Sequence, residues 1–330
     1  MPGGLRTDLV GDTAPLAVLP VWSWWEGTPD MPDLVSACVQ SWKEVGALDA
    51  AHGFDLRILS PDTLGNWLPV EEIEAHEGLS RGCPEISRAF RSDFVRLALL
   101  SRHGGVWLDA TIVATQSFAW IKDALAEGVT FIAFRNPMNE KVGCPARLPF
   151  VESSALVAAT PGLPLIEAWK HSFWSLPRTG LSPEAVAEWR TALVLPDVHQ
   201  GTHPVYHAVF AACLHALARA GGIESFSGVW LRDGIEEHFM PCPAHLQGET
   251  WCAGDWTEKG RWKGPLIKIT RETRRSMPAD PMQVPCVAGA LRQTPRPEST
   301  SLWGLLLPLM LLLLLGGLML MARARAATRA

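Results

Sequence analysis

The chain has 330 residues, of which 48% are hydrophobic and 19% charged, and its formal net charge is −5. This composition supports a sizeable folded core and excludes an intrinsically disordered protein. The acidic balance disfavours nucleic-acid binding as the main function, because a negatively charged domain repels a polyphosphate backbone. The seven cysteines include no C-x-x-C pair, so we expect mostly reduced thiols rather than a structural zinc site or a dense disulfide framework.

Predicted strands and helices alternate in the first part of the chain. The apolar run from Leu16 to Trp24 predicts a buried strand, and the apolar residues from Pro32 to Gly46 repeat at helical spacing. Residues from Phe54 to Leu59 predict a second short strand. A strand–helix–strand order of this kind favours an α/β fold with a parallel sheet.

A longer helix is predicted over residues 85–103, and the two glycines that follow it are typical of a helix end. The next strand, over 106–109, begins directly after these glycines. The remaining predicted elements are strands at 129–134 and 154–159 and helices at 164–175 and 203–220.

The C-terminal segment has a different composition from the rest of the chain. From Leu302 to Met321 it carries no charge, and as a helix it would span about 30 Å, the thickness of the hydrocarbon core of a bilayer. It predicts one transmembrane helix; the alternative is a buried core helix, which rarely has apolar residues on every face. Because residues 1–20 show no signal-peptide pattern, we expect a tail anchor with the domain on the cytosolic side, the lumenal side being the alternative.

The composition divides the chain into five predicted parts. These are a leader at 1–15, a folded domain at 16–275, a proline-rich linker at 276–301, the transmembrane helix at 302–321 and a basic tail at 322–330. The linker assignment depends on its prolines and on its lack of hydrophobic periodicity.

The segment from Ser92 to Thr115 brings charged residues to one predicted crevice. Asp93 and Arg96 are three positions apart, so they share a helix face, and Asp109 ends the strand that follows. Ligands of open α/β sheets bind outside the carboxyl ends of the strands. This set of two carboxylates and a guanidinium is suited to binding a nucleotide sugar. A carboxylate can hold a divalent ion against the diphosphate, and aspartate and arginine side chains can hydrogen-bond to sugar hydroxyls. The alternative is a surface ion pair beside an unconnected aspartate.

Two blocks of sequence resemble a known family. The pattern S-D-x-x-R-x-x-x-L-x-x-x-G-G-x-W-x-D-A-T is matched here by Ser92, Asp93, Arg96, Leu100, Gly104, Gly105, Trp107, Asp109, Ala110 and Thr111. The tryptophan-rich strand at Val21 to Gly27 and the pattern P-x-L-V-x-x-C-x-x-S-W at Pro32 to Trp42 form the other block. Weaker matches occur at 163–166 and 267–270. Over residues 16–272 the chain resembles the DXD-containing sugar transferases of glycosyltransferase family 32, in particular the capsular polysaccharide synthesis protein family.

This resemblance implies a GT-A-type fold, in which a Rossmann-like sheet binds a nucleotide sugar, usually with Mn²⁺ or Mg²⁺. It implies that Asp93 and Arg96 contact the donor sugar and that Asp109 is the metal and diphosphate ligand. Trp25 is implied to lie near the base, with Trp24 as the alternative; a tryptophan at a strand end is also a common core residue.

Three further residues complete the implied donor site. Gly105 and Thr111 belong to the matched block, and Thr111 stands at the third position of the D-x-D motif, which leaves one carboxylate for a metal. Lys268 is expected to neutralise the diphosphate, the alternative being a solvated lysine.

A histidine-based metal site is disfavoured. His199, His203 and His207 have i,i+4 spacing, but Pro204 falls among them and no carboxylate accompanies them at ligand spacing.

The function that these observations predict is a membrane-anchored glycosyltransferase. Its partners would be a nucleotide-sugar donor, a glycan, polysaccharide or glycolipid acceptor, and membrane lipid. The family precedent is retention of anomeric configuration, although the sequence identifies no nucleophile. One alternative is an inactive sugar-nucleotide-binding or scaffold protein. The other is a glycoside hydrolase. Such an enzyme needs two carboxyl groups that flank the sugar bond, and Glu152 and Asp109 would be these two groups.

Overall fold

The computed structural model describes residues 17–27, 30–74, 87–136, 145–176, 183–192, 207–232 and 266–268. Within these ranges, none of the helices combines the length and the apolar composition that crossing a membrane requires. The predicted leader, the linker, the transmembrane helix at 302–321 and the basic tail lie outside the described residues, so the division into five parts stays a prediction.

The described chain contains a six-stranded sheet and a separate pair of strands. In chain order the strands are β1 (Leu19–Trp24), β2 (Phe54–Leu59), β3 (Gly105–Leu108), β4 (Ile112–Ala114), β5 (Phe131–Arg135), β6 (Val151–Ala158), β7 (Val229–Arg232) and β8 (Leu266–Lys268). The large sheet has the order β2-β1-β3-β6-β5-β7, and β4 pairs with β8.

The sheet is mixed rather than parallel, which corrects the sequence-based expectation. Strand β1 is parallel to β2 and to β3, and β5 is parallel to β7, but β6 runs antiparallel to both β3 and β5. The first strand–helix–strand unit is therefore parallel as predicted. The sequence does not indicate the direction of β6. A strand that is buried on both faces is mostly apolar whether it runs parallel or antiparallel to its neighbours. The mixed α/β sheet fits the expected GT-A-type architecture.

Helices cover both faces of the sheet. They are α1 (Asp33–Glu44), α2 (Pro61–Leu64), α3 (Ser87–His103), α4 (Ala119–Ala126), α5 (Pro164–Trp174), α6 (Pro183–Ala192) and α7 (Ala208–Ala220). Side chains alternate along β1, so that Trp22 and Trp24 enter one buried cluster while Leu19 and Val21 enter another. The first cluster includes the apolar face of α3, and this packing holds α3 against the sheet.

A turn of two glycines connects α3 to β3. Gly104 and Gly105 have φ values of +63° and +96°, which residues with a side chain rarely adopt. A Cβ at Gly105 would also collide with the backbone carbonyl of Pro20 on β1. The Nε1 of Trp22 donates to the carbonyl oxygen of Gly104 at 2.9 Å. This turn fixes where β3 begins relative to α3, and hence where its last residues lie.

Candidate functional site

Polar side chains collect at one edge of the large sheet. Because β1, β3, β5 and β7 run in the same direction, their carboxyl ends share an edge, and the antiparallel β6 begins at that edge. Asp109 follows β3, Asn136 follows β5 and Glu152 is the second residue of β6. The backbone N–H of Asp109 donates to the carbonyl oxygen of Ser154 at 2.8 Å, which joins the end of β3 to β6.

Arg96 links the two aspartates that the sequence singled out. Its Nη1 lies 2.8 Å from Oδ1 of Asp93, one helical turn away on α3, and its Nη2 lies 2.8 Å from Oδ1 of Asp109. Asp93 and Arg96 are 8% and 3% exposed, so the pair is buried and is not a surface ion pair. The structure thus brings together the two carboxylates and the guanidinium that the helix spacing and the strand end predict.

Asp109 accepts hydrogen bonds on both of its carboxylate oxygens. Oδ1 also accepts from Nε1 of Trp107 at 2.8 Å, and Oδ2 accepts from Nζ of Lys268. The same Nζ lies 3.4 Å from Oγ1 of Thr111. The side chain of Lys268 is 15% exposed, so it belongs to the site and is not the solvated lysine of the alternative interpretation.

Strand pairing explains how Lys268 reaches the site. Lys268 ends β8, and its register partner in β4 is Ile112, three residues after Asp109. The backbone N–H of Ile112 donates to the carbonyl oxygen of Asp109 at 3.0 Å, so a tight turn joins Asp109 to β4. Lys268, which belongs to the weaker sequence match at 267–270, therefore lies next to the main motif in space.

The electrostatics of the two aspartates differ. Burial by itself would raise the pKa of Asp109, but the charges of Lys268 and Arg96 outweigh it and hold this pKa at about 2. For Asp93 burial dominates and raises the pKa to about 7, against the lowering effect of Arg96. The carboxylates of Asp109 and Glu152 raise the pKa of Asp93 further. Asp109 is therefore ionised at neutral pH, whereas Asp93 is partly protonated at neutral pH.

Glu152 and Asn136 are site residues whose placement at this edge the sequence did not predict. Glu152 is 5% exposed; its Oε2 accepts from Nδ2 of Asn136 at 2.6 Å and its Oε1 accepts from the backbone N–H of Ser154 at 2.9 Å. The sequence alone indicates Glu152 only as a carboxylate of the alternative glycoside hydrolase. A usable signal was present, because Glu152 interrupts the otherwise apolar run from Phe150 to Ala159 together with two serines.

The tryptophans at the end of β1 have different surroundings. Trp24 is 6% exposed and packs in the core cluster, where its Nε1 has no hydrogen-bond partner among the described residues. Trp25 lies just beyond β1 and is partly buried, and its backbone N–H donates to the carbonyl oxygen of Leu59 at 2.9 Å. The next residue, Glu26, forms ion pairs with Arg88 and Arg91 on α3 at 3.0 and 3.2 Å. The contact of Trp25 with the base, with Trp24 as the alternative, stays a prediction.

Gly105 lies at the amino end of β3, the end opposite to Asp109. Its close neighbour is Pro20, and its positive φ serves the turn from α3. The donor-binding role predicted for Gly105 is at odds with this placement.

The described side chains around Asp109 provide an incomplete set of ligands for a divalent cation, and the oxygens of Asp109 are already paired. No group of three or more histidine, cysteine or acidic side chains converges within the described ranges, so a diphosphate and water would have to complete the ligands of Mn²⁺ or Mg²⁺. The two lone pairs of Asp109 Oδ1 are taken by Arg96 and Trp107, and Oδ2 is paired with Lys268. Metal binding at Asp109 stays a prediction. His199 and His203 lie outside the described residues.

The capsular polysaccharide synthesis protein family matches residues 15–169 of the chain. This match confirms the family resemblance for that part of the sequence. It includes Asp93, Arg96, Asp109 and Glu152, whereas Lys268 lies beyond it. No curated protein sequence matches the chain.

Three solved structures are distantly similar. They are the PaToxG glycosyltransferase (14% identity, TM-score 0.31, covering 62% of this chain and 87% of that one), the galactosyltransferase LgtC in complex with donor and acceptor sugar analogues (11%, 0.36, 86% and 99%), and mouse xyloside xylosyltransferase 1 in its apo form (10%, 0.43, 79% and 99%). Similarity at these TM-scores does not bear on the activity of this chain.

Proposed function

We propose that this chain, whose residues 15–169 match the capsular polysaccharide synthesis protein family, is a glycosyltransferase. It would move a sugar from a nucleotide-sugar donor to a glycan, polysaccharide or glycolipid acceptor. The observation that carries the proposal is the buried Arg96, which joins Asp93 to Asp109 at the carboxyl edge of the sheet. Buried ionic clusters of this kind are costly for stability, and they concentrate at functional sites.

The donor would lie along this edge. Asp93 and Arg96 offer an acceptor and several donors for hydrogen bonds to sugar hydroxyls, and Trp25 beyond β1 offers a ring for the base. Stacking of a base on an aromatic side chain contributes about 1–3 kcal/mol. This assignment predicts that the sugar and the base contact different elements, α3 and the end of β1.

The transfer breaks the bond between C1 of the sugar and the diphosphate oxygen, and the electron pair leaves on the diphosphate. The hydroxyl oxygen of the acceptor forms the new bond to C1 and releases its proton. Preorganised positive charge next to the leaving group stabilises the transition state more than the ground state, because negative charge develops there. Arg96 and Lys268 are the cations that the described structure places next to Asp109.

Membrane attachment forms a second part of the proposal. The uncharged segment at 302–321 has the length and composition of a transmembrane helix. It would hold the domain beside membrane lipid, on the cytosolic side, where membrane-borne acceptors are concentrated in two dimensions.

A second candidate is a sugar-nucleotide-binding or scaffold protein without transferase activity. The observation in its favour is that the motif has one carboxylate instead of two. This carboxylate, Asp109, already accepts hydrogen bonds from Arg96, Trp107 and Lys268. A glycoside hydrolase is less well supported, because both oxygens of Glu152 are held by Asn136 and Ser154.

The deciding experiment is a panel of nucleotide sugars with the full-length protein, read by thermal shift and by release of nucleoside diphosphate. A ligand at 100 times its dissociation constant stabilises the folded state by about 2.7 kcal/mol. Binding with sugar release or transfer supports the transferase, and binding without turnover supports the scaffold. Cleavage of glycans without any nucleotide sugar would instead identify a hydrolase.

A further inference from the structure

The amino group of Lys268 lies between the first and third residues of the D-x-T motif. Its Nζ donates to Oδ2 of Asp109 and lies 3.4 Å from Oγ1 of Thr111. The resemblance stated above assigns the first of these positions to a divalent ion. In this chain a side-chain cation is already present between the two.

A divalent ion at Asp109 would meet two positive side chains. It would have to displace Lys268 from Oδ2 or share that oxygen with its ammonium, and it would approach Arg96, whose Nη2 is 2.8 Å from the other oxygen. Thr111 offers a neutral hydroxyl instead of a second carboxylate, so the charge that could offset this repulsion is missing. The local charge balance therefore favours one ammonium over a doubly charged ion.

We propose that the ammonium of Lys268 binds the diphosphate of the donor in place of a divalent cation, so that donor binding at this site does not require added metal. This inference rests on the proposed glycosyltransferase function and concerns the same site. It assigns to Lys268 direct contact with the leaving group.

The hydrogen-bonding capacity of Lys268 suits this role. An ammonium has three N–H groups, and Asp109 and Thr111 account for two of them among the described residues. The third can donate to a diphosphate oxygen while Asp109 continues to orient the side chain. When the bond between C1 and the diphosphate oxygen breaks, the electron pair stays on the diphosphate, and the ammonium offsets the added negative charge without itself gaining or losing a proton.

The position of Lys268 on a strand also favours the role. Its pairing with Ile112 fixes its backbone relative to the motif, and its side chain is 15% exposed. Groups held by paired strands reach a ligand with less loss of conformational freedom than groups on open loops.

The test measures binding of UDP, GDP and CDP to the full-length protein in detergent by calorimetry, first with EDTA and then with Mn²⁺. We expect at least one of the three to bind in EDTA, and Mn²⁺ to change its affinity by less than about threefold. Lys268→Met should weaken that binding by about tenfold or more, and Lys268→Arg should retain most of it.

Lys170→Met is the matched control. Lys170 is 18% exposed and pairs with Glu72 at 2.9 Å, so it resembles Lys268 in burial and pairing but lies outside the site. This variant should bind like the wild type.

Each result is decisive. Binding that appears only with Mn²⁺, or Lys268→Met that binds like the wild type, overturns the inference and leaves the proposed function standing. No binding of any of the three under either condition overturns both. If Lys268→Met fails to fold, titration of the wild type with Mn²⁺ alone, followed by electron paramagnetic resonance, decides: a saturable site that Asp109→Asn abolishes contradicts the inference, and its absence supports it.

Discussion

Asp109 holds its position through groups from three directions. Arg96 reaches it from α3, Trp107 from its own strand and Lys268 from β8. Removing one partner of a buried ion pair leaves an uncompensated charge and costs about 3–5 kcal/mol when the site is dry. The Asp109 carboxylate is 20% exposed, so solvent reduces this cost.

Asp109→Asn should abolish transfer and keep the fold. The amide retains an oxygen that can accept from Arg96 or Trp107, but it provides no charge to orient Lys268. We expect a loss of turnover of about a hundredfold or more, measured as release of nucleoside diphosphate, with an unchanged circular dichroism spectrum. A folded variant with full turnover would remove Asp109 from the mechanism.

The raised pKa of Asp93 gives a prediction about stability. Its pKa is about 7 in the folded protein, above the value of about 3.9 in an unfolded chain. Between these values the folded state holds a proton that the unfolded state has lost, so this group makes folding less favourable as the pH rises from about 4 to about 7. Asp93→Asn should remove this pH dependence. The free energy of unfolding of the variant should therefore increase relative to that of the wild type as the pH rises from about 4 to about 7.

The measurement is chemical denaturation of both proteins at several pH values, with Asp123→Asn at an exposed position of α4 as the control. The control should show no such trend relative to the wild type. A difference between Asp93→Asn and the wild type that is constant with pH would show that burial does not govern the ionisation of Asp93.

The sequence predicts some residues of the site and not others for physical reasons. Asp93, Arg96 and Asp109 could be placed together because helix spacing and a strand end locate them without knowledge of the sheet order. Glu152 could not be placed, because its position at the edge depends on the direction of β6. The weak family match at 267–270 indicates Lys268 as a donor-site residue. Its contact with Asp109, 159 residues away in sequence, depends on the pairing of β4 with β8, which the sequence does not predict.

At the scale of elements, the predictions were accurate where local signals are strong. Helix α3 ends at His103 as the two glycines predict, and β2 covers the predicted residues. Helix α7 begins at Ala208, later than the predicted start at 203. The short helices α2, α4 and α6 and the short strands β4, β7 and β8 were not predicted, because a few apolar positions in so short a segment do not establish a helical or strand period.

The turn between α3 and β3 allows a controlled test of element placement. Gly105→Ala should destabilise the protein by more than Gly128→Ala. The two glycines have similar φ values, +96° and +90°, but a Cβ at Gly105 collides with the carbonyl of Pro20, whereas nothing lies within 4 Å of one at Gly128. Both variants lose about 1–2 kcal/mol to the left-handed backbone, and Gly105→Ala loses more because β1 and β3 must separate.

The free energy of unfolding of both variants, from denaturant titration, checks this prediction. A larger loss for Gly105→Ala should be accompanied by reduced turnover, since the turn sets the position of Asp109. Equal losses of stability in the two variants would mean that the close approach of β1 to Gly105 is not important for the fold.

At the scale of the whole molecule, catalysis and membrane attachment are predicted to be separable. Deletion of residues 302–330 should yield a soluble protein that still turns over donor. The described contacts of Asp109 and Glu152 all involve residues 93–268, so the deleted segment supplies none of them. Activity on a small soluble acceptor should persist, and activity on membrane-borne acceptors should fall because the enzyme no longer shares their surface.

Fractionation and activity assays of both forms check this separation. The full-length protein should stay with membranes in carbonate, and the truncated protein should not. An insoluble or misfolded truncated protein would show instead that residues 302–321 form part of the core.

Because β4 pairs with the distant strand β8, the site can be completed only late in synthesis of the chain. A ribosome makes Arg96 and Asp109 long before Lys268, which follows Asp109 by 159 residues. Until β8 has been made, the nascent chain carries the motif without its second cation, and the charge of Asp109 is balanced by Arg96 alone. A premature stop before residue 266 would therefore release a protein that has the family motif but cannot assemble this site.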